Sequence, residues 1–254
     1  MKITFLGTGT SQGVPVIGCD CEVCTSLDFR NKRFRTSIFI ETEEQNLVID
    51  TGPDFRMQML RLGAKKLDGV LYTHEHKDHT AGLDDIRPFN FAQKKDMAVY
   101  AQKQVIEQIK REFAYAFSPK RYPGVPKINS IEIDEKPFFV GKKEIIPIPV
   151  MHHKLPVLGF RIGDFSYITD ANHIPEKSLD LIKGSKVLVL NALQKSPHLS
   201  HFTLEEAIEI AKASSVPKTY FTHMSHRLGL HSEVSEELPE GIDLAYDGLE
   251  ISLD

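Results

Sequence analysis

Val70-Leu71-Tyr72-Thr73-His74-Glu75-His76-Lys77-Asp78-His79 joins a short apolar run to three histidines and an aspartate within six residues. Gly69 to Thr73 reads as a buried strand that stops where the histidines begin. His and Asp supply the nitrogen and oxygen donors that zinc, manganese or iron accept. One ion cannot easily take all four groups from so short a loop, so the pattern asks for two neighbouring ions.

Other strand-like runs end in the same way. Glu144 to Val150 leads to His152 and His153, Ser166 to Thr169 leads to Asp170, and Tyr220-Phe221-Thr222 leads to His223. Four strand ends carrying His or Asp can converge on one edge of a fold and complete a two-ion site. Further strands are expected at Lys2–Leu6, Arg35–Thr42, Gln45–Asp50, Met97–Ala101, Ser130–Asp134, Phe138–Val140, Leu158–Ile162, Val187–Asn191, Leu244–Tyr246 and Leu249–Ser252. Helices are expected from Phe55 to Leu62, capped by Asp54 and stopped by Gly63, and from Gln104 to Phe117. Two more are expected at 177–182 and, with Thr203 as N-cap, at 204–214. A proline-broken loop covers 119–126, and Gly7 to Pro15 reads as a tight loop beside the site. No internal repeat is visible. Strands with helices in both halves predict an α/β fold of two mixed sheets packed face to face with helices outside.

The 254 residues suit one domain over 1–254, with 41% apolar and 26% charged residues. No stretch approaches the roughly 20 apolar residues that cross a bilayer. The first residues, Met1 to Gly7, are too short for a signal peptide, so a cytoplasmic address is expected. A formal net charge of -4 and no long basic run argue against a dedicated nucleic-acid binder. The three cysteines, Cys19, Cys21 and Cys24, lie within six residues and make no disulfide framework. They form a partial tetrahedral zinc site short of one ligand, for which His226 and His231 are the candidates.

His-x-His-x-Asp-His, with later His, Asp and His at strand ends, resembles the metallo-β-lactamase superfamily over essentially the whole chain. The resemblance implies an αββα sandwich. It implies one divalent ion on His74, His76 and His152, a second on Asp78, His79 and His223, and Asp170 bridging them. His152 is preferred to His153 because Leu155-Pro156-Val157-Leu158-Gly159 resembles the family's Leu-Pro-x-x-Gly after its histidine. Two ions can share a hydroxide, lower its pKa toward neutrality and clamp the oxygens of a displacement at phosphorus. Asp78 can orient that hydroxide. The departing alkoxide still needs a general acid. His201, in Leu199-Ser200-His201-Phe202-Thr203, resembles the His-x-Thr element of the superfamily's phosphodiesterase branch, and an imidazole titrates near neutral pH.

Gly7-Thr8-Gly9-Thr10-Ser11-Gln12-Gly13-Val14-Pro15, the Cys-x-Cys-x-x-Cys loop, Asp50-Thr51-Gly52-Pro53-Asp54 and His201 together resemble a narrower group. These are the phosphoribosyl 1,2-cyclic phosphate phosphodiesterases of the carbon–phosphorus lyase pathway. The resemblance implies hydrolysis of a small cyclic phosphodiester, zinc or manganese in the catalytic pair, and a homodimer. With His223 at the catalytic ions, His226 three residues on can turn toward Cys19, Cys21 and Cys24 and close a structural zinc site. The alternatives are a tRNA 3′-processing endonuclease and a thioester or lactam hydrolase. Arg33, Arg35 and Lys154 are candidate phosphate contacts.

Overall fold

Leu47-Val48-Ile49 and Val187-Leu188-Val189-Leu190 are apolar at every position, where a half-buried strand would alternate. Such runs belong to strands covered on both faces. Their neighbouring side chains do diverge: Leu47, Ile49, Val187 and Val189 enter the layer between two sheets, whereas Val48, Leu188 and Leu190 face the outer layers. The computed structural model describes residues 1–120 and 122–253. Position 121, inside the expected loop over 119–126, and position 254 lie outside the described residues.

The first sheet holds β1 (Lys2–Gly7), β2 (Ser37–Glu41), β3 (Asn46–Ile49), β4 (Gly69–Leu71), β5 (Met97–Ala101) and β6 (Ile128–Glu132). The second holds β7 (Phe138–Val140), β8 (Lys143–His152), β9 (Leu155–Ile162), β10 (Phe165–Tyr167), β11 (Val187–Asn191), β12 (Lys218–Thr222) and β13 (Ile242–Leu244). The last strand, β14 (Glu250–Ser252), returns to the first sheet. The orders are β14-β1-β2-β3-β4-β5-β6 and β13-β12-β11-β10-β9-β8-β7. Pairing is antiparallel from β14 to β3 and parallel from β3 to β6. The second sheet repeats this, antiparallel from β7 to β10 and parallel from β10 to β13.

The helices are α1 (Glu22–Thr25), α2 (Phe55–Leu62), α3 (Lys77–Thr80), α4 (Arg87–Gln93), α5 (Lys103–Glu112), α6 (Ala114–Phe117), α7 (Glu176–Ile182), α8 (Leu204–Ser214) and α9 (His231–Glu237). Phe55, Phe89, Val105 and Ile109 pack α2, α4 and α5 on the outside of the first sheet. Ile182, Ala207 and Val234 do the same for α7, α8 and α9 on the second. The two mixed sheets with helices outside are the αββα sandwich that the sequence predicts. Thr203 caps α8 through a full capping box with Glu206.

Four details differ from the sequence reading. The helix expected over 104–117 divides at Phe113, whose φ of -107° and ψ of 37° are not helical, and its side chain turns into the core. Asp54 makes no cap bond to α2; its carboxylate accepts from the Arg35 N–H and guanidinium instead. The strand expected near 244–246 is β13, earlier in the chain. The strand expected over 130–134 is β6, which starts at Ile128.

Backbone closeness holds the first sheet's loops together. Thr51 N–H donates to His79 O at 2.7 Å, and Gly82 N–H to Thr51 O at 2.8 Å. A Cβ on Gly52 would lie 2.1 Å from Asp78 O, so only glycine fits there. Gly52→Ala should cost about 1–3 kcal/mol by overpacking against backbone, read as a fall of several degrees in thermal midpoint; an unchanged midpoint would contradict the close packing.

Candidate metal centres

Parallel strands leave their carboxyl ends on one edge of an α/β sandwich, the usual place for a site. The side chains expected there do converge. His74, His76, His152 and Asp170 form one cluster, and Asp78, His79, Asp170 and His223 a second, each with candidate ligand atoms within 4.8 Å of one another. Asp170 belongs to both. His153, the alternative to His152, is exposed and belongs to neither cluster. The backbone is bent to allow this. Of six non-glycine residues with positive φ among the described residues, Asp50, His153, Asp170 and His223 lie at strand ends beside these clusters. Such conformations cost energy and concentrate at functional sites.

Hydrogen bonds aim each ring. Asp50, behind the clusters, accepts from Thr73 N–H at 2.9 Å, from the Thr73 hydroxyl at 2.8 Å and from His79 Nδ1 at 2.7 Å. The same hydroxyl accepts from His74 Nδ1 at 2.9 Å. His152 Nδ1 donates to Ser200 O at 2.7 Å. Thr10, in the glycine loop 7–15, lies 3.2 Å from His223 Nε2, so that loop does sit beside the clusters. His74 Nε2, His79 Nε2 and His223 Nδ1 are left buried with no hydrogen-bond partner. Orphaned buried nitrogens are costly, and these three point at Asp170, at 3.7, 3.3 and 3.1 Å. A divalent cation fits this donor set, because it takes the lone pairs that nothing else satisfies.

The charges alternate across the clusters. Burial opposes a charge on His79, but Asp170, Asp78 and Asp50 outweigh it and hold the ring well above its ordinary pKa. Burial likewise opposes ionisation of Asp170, yet His223 and His79 keep it well below the usual carboxylate range. His74, buried and next to His79, is pushed well below its ordinary value.

His201 lies between the clusters, its ring centroid 4.6 Å from that of His152 and 4.8 Å from that of His223. Burial, with His223 next, pushes it down to about 3, and Nδ1 has no partner. The near-neutral titration expected from the sequence is therefore corrected: the free ring is neutral at pH 7.

The cysteines find their fourth partner. His226 Nδ1 lies 3.3 Å from Cys19 Sγ, 3.3 Å from Cys21 Sγ and 3.5 Å from Cys24 Sγ. A Cys3His set of this kind suits tetrahedral zinc. The Cys24 backbone N–H and His226 lower Cys21 to about 6, whereas burial raises Cys24 to about 11. His231, the alternative ligand, instead accepts from Arg33 at 3.0 Å. Arg33 is buried and also donates to Thr8 and Ala245 O, so it is no phosphate contact. Arg35 is held by Ser11 O and Asp54. Lys154 is exposed in the turn after β8.

The fold and the paired clusters define a metal-dependent hydrolase. Residues 45–224 match the model of the β-lactamase superfamily domain. A crystal structure described as a new diphosphatase from the PhnP family is 38% identical, covers 100% of this chain and 98% of its own, and superposes with a TM-score of 0.93. The chain belongs to the β-lactamase superfamily and, within it, to the PhnP family. Zinc-bound PqqB from Methylobacterium extorquens shares the fold, with a TM-score of 0.80 at 18% identity and full coverage of both chains. A Porphyromonas gingivalis protein named octanoyltransferase is 40% identical over the whole of this chain, which spans only 52% of that protein. A Methanococcus maripaludis protein named ribonuclease Z is 26% identical, over 94% of this chain and 93% of its own length.

In the sequence Asp50 ends a strand and opens the Asp50-Thr51-Gly52-Pro53-Asp54 segment, but nothing in its neighbours marks it as the acceptor behind two histidines. Asp50→Asn should weaken metal binding at the clusters 10- to 100-fold, measured by competition with a chelator; unchanged affinity would remove it as their support. His226→Ala should release one equivalent of zinc and lower the thermal midpoint, and a variant with full zinc content would overturn the Cys3His assignment.

Proposed function

We propose that the chain is a binuclear-metal phosphodiesterase that hydrolyses a small cyclic phosphodiester, phosphoribosyl 1,2-cyclic phosphate above all. The observation that carries this reading is the position of His201, against one histidine of each cluster yet a member of neither. A thiolate expelled from a thioester needs no such ring, whereas an alkoxide leaving phosphorus needs a proton. In this reading His74, His76, His152 and Asp170 hold one divalent ion. Asp78, His79, Asp170 and His223 hold the other, and zinc or manganese suits the donors. Cys19, Cys21, Cys24 and His226 hold a structural zinc.

Two divalent ions held by these residues would supply an activated water and a clamp for the phosphoryl oxygens. The remaining work belongs to the chain. Asp78 orients the attacking water with a carboxylate that His79 and His223 keep ionised against the effect of burial. His201 donates its ring N–H to the departing sugar oxygen. The anionic phosphodiester beside it favours the protonated ring that burial and His223 disfavour. The oxygen leaves as a hydroxyl on the same molecule, and the product is a phosphomonoester. A homodimer in the cytoplasm belongs to the same reading.

Resemblance to a PhnP-family structure over the full length supports a small phosphorylated substrate. The ribonuclease Z relative favours a second reading, cleavage at a tRNA 3′ end. The name octanoyltransferase describes a longer protein, of which this chain matches about half.

A panel of bis(p-nitrophenyl) phosphate, 2′,3′-cyclic nucleotides, ribose 1,2-cyclic phosphate and precursor tRNA tests the reading. The ribose cyclic phosphate should show the highest kcat/KM, and rapid cleavage of the tRNA alone would overturn it. His201→Ala should keep its metals and lose about 10²–10⁴-fold in kcat on the ribose ester. Nitrophenolate leaves without a proton, so bis(p-nitrophenyl) phosphate should lose far less. Equal losses on both substrates would sink the proton-donor role.

A further inference from the structure

Asn172 is neither a candidate ligand nor a neighbour of the phosphorus in the reading above, yet its side chain joins the parts of the second sheet that aim His152 and His201. β8 and β9 are linked by a two-residue turn, His153-Lys154, with His152 paired to Leu155. His153, the first residue of that turn, has a φ of 57°. Glycine is preferred at this position of a tight hairpin, so the turn that ends at the His152 ligand stores strain. Asn172 Oδ1 accepts from His153 N–H at 2.7 Å and holds the turn in place.

The other end of the same amide reaches a different loop. Asn172 Nδ2 donates to Leu199 O at 3.1 Å. The next carbonyl, Ser200 O, is the acceptor for His152 Nδ1, and the next residue is His201. One planar group therefore grips both the turn that carries His152 and the segment that receives its ring N–H. Asn172 can serve as an anchor because its own backbone is fixed. Its N–H donates to Met151 O at 2.9 Å, and the preceding Ala171 is bonded through both N–H and C=O to the Asn191 side chain.

We propose that Asn172 is a positioning residue for the hydrolysis, setting the His152 ring toward its ion and His201 toward the leaving oxygen by clamping residues 153 and 199. The inference rests on the phosphodiesterase reading for the role of His201, but its His152 arm does not depend on the substrate. The chemistry requires an amide: one acceptor for an N–H and one donor for a C=O, separated by a single carbon. Aspartate keeps the shape and the acceptor and lacks the donor; alanine lacks both.

The test uses Asn172→Ala and Asn172→Asp in the full-length, metal-loaded protein. Zinc affinity is read by chelator competition, and kcat on ribose 1,2-cyclic phosphate is compared with kcat on bis(p-nitrophenyl) phosphate. Asn172→Ala should weaken zinc binding at the clusters about tenfold, the low end of what loss of an orienting partner does. Both variants should lose at least tenfold in kcat on the ribose ester and no more than threefold on the nitrophenyl ester. Zinc affinity unchanged in Asn172→Ala, together with equal loss on the two esters, would make Asn172 part of the scaffold only and overturn the proposal. If the parent protein binds zinc but cleaves no phosphodiester, the functional reading fails. The chelator competition still decides whether Asn172 positions His152.

Discussion

A single buried carboxylate, Asp50, holds the end of β3 to the loop that follows β4. It takes three donors at once: the Thr73 backbone, the Thr73 hydroxyl and His79. Burial raises its pKa, and the hydrogen bonds and His79 act against that rise. In a low-dielectric interior each unmade bond would be expensive, so the three donors have little freedom to look elsewhere. Through the Thr73 hydroxyl the same carboxylate governs His74. One acceptor thus fixes which nitrogen of two imidazoles faces the clusters, before any ion is considered.

Asp50 has a counterpart. The two sheets follow the same order of pairings, three antiparallel and then three parallel. In each, the strand where the change occurs, β3 or β10, is followed within a few residues by an aspartate in the left-handed conformation, Asp50 at 64° and Asp170 at 58°. The two carboxylates are used differently. Asp50 turns inward, to a backbone N–H, a hydroxyl and a ring, and Asp170 turns toward the clusters. The shared topology leaves no repeat in the sequence, because a strand covered on both faces asks for apolar side chains without asking for particular ones.

Features that depend on short-range chemistry were legible in the sequence. Three histidines and an aspartate after a strand, or three cysteines in six residues, advertise their chemistry whatever the fold does. Two sheets with helices outside followed from strands and helices in both halves of the chain, and the resemblance implied the αββα sandwich. What escaped depended on partners far away in the chain. Asp54 reads as a helix cap because its local competitor is the backbone, but Arg35, nineteen residues earlier, offers it a stronger charged donor. Arg33 reads as a candidate phosphate contact until its bonds to Thr8, Ala245 O and His231 show it buried and committed elsewhere. His201 reads as an ordinary imidazole, and only its depth beside His223 and His152 reveals that the free ring is neutral. The break at Phe113 reflects a core that takes this ring at the expense of a continuous helix.

The membership of the three clusters has a further consequence. Each draws on both sheets or the loops attached to them: His74 and His76 with His152 and Asp170, Asp78 and His79 with Asp170 and His223, and the cysteine loop with His226. The cysteine loop and His226 are more than 200 residues apart in sequence, 207 for Cys19. An ion in any of these places acts as a reversible cross-link between the front and the back of the chain. By the logic of loop closure, such links restrict the unfolded chain most when they span long separations. Occupancy would then couple two properties that are usually separate: the readiness of the edge for chemistry and the resistance of the two sheets to sliding apart.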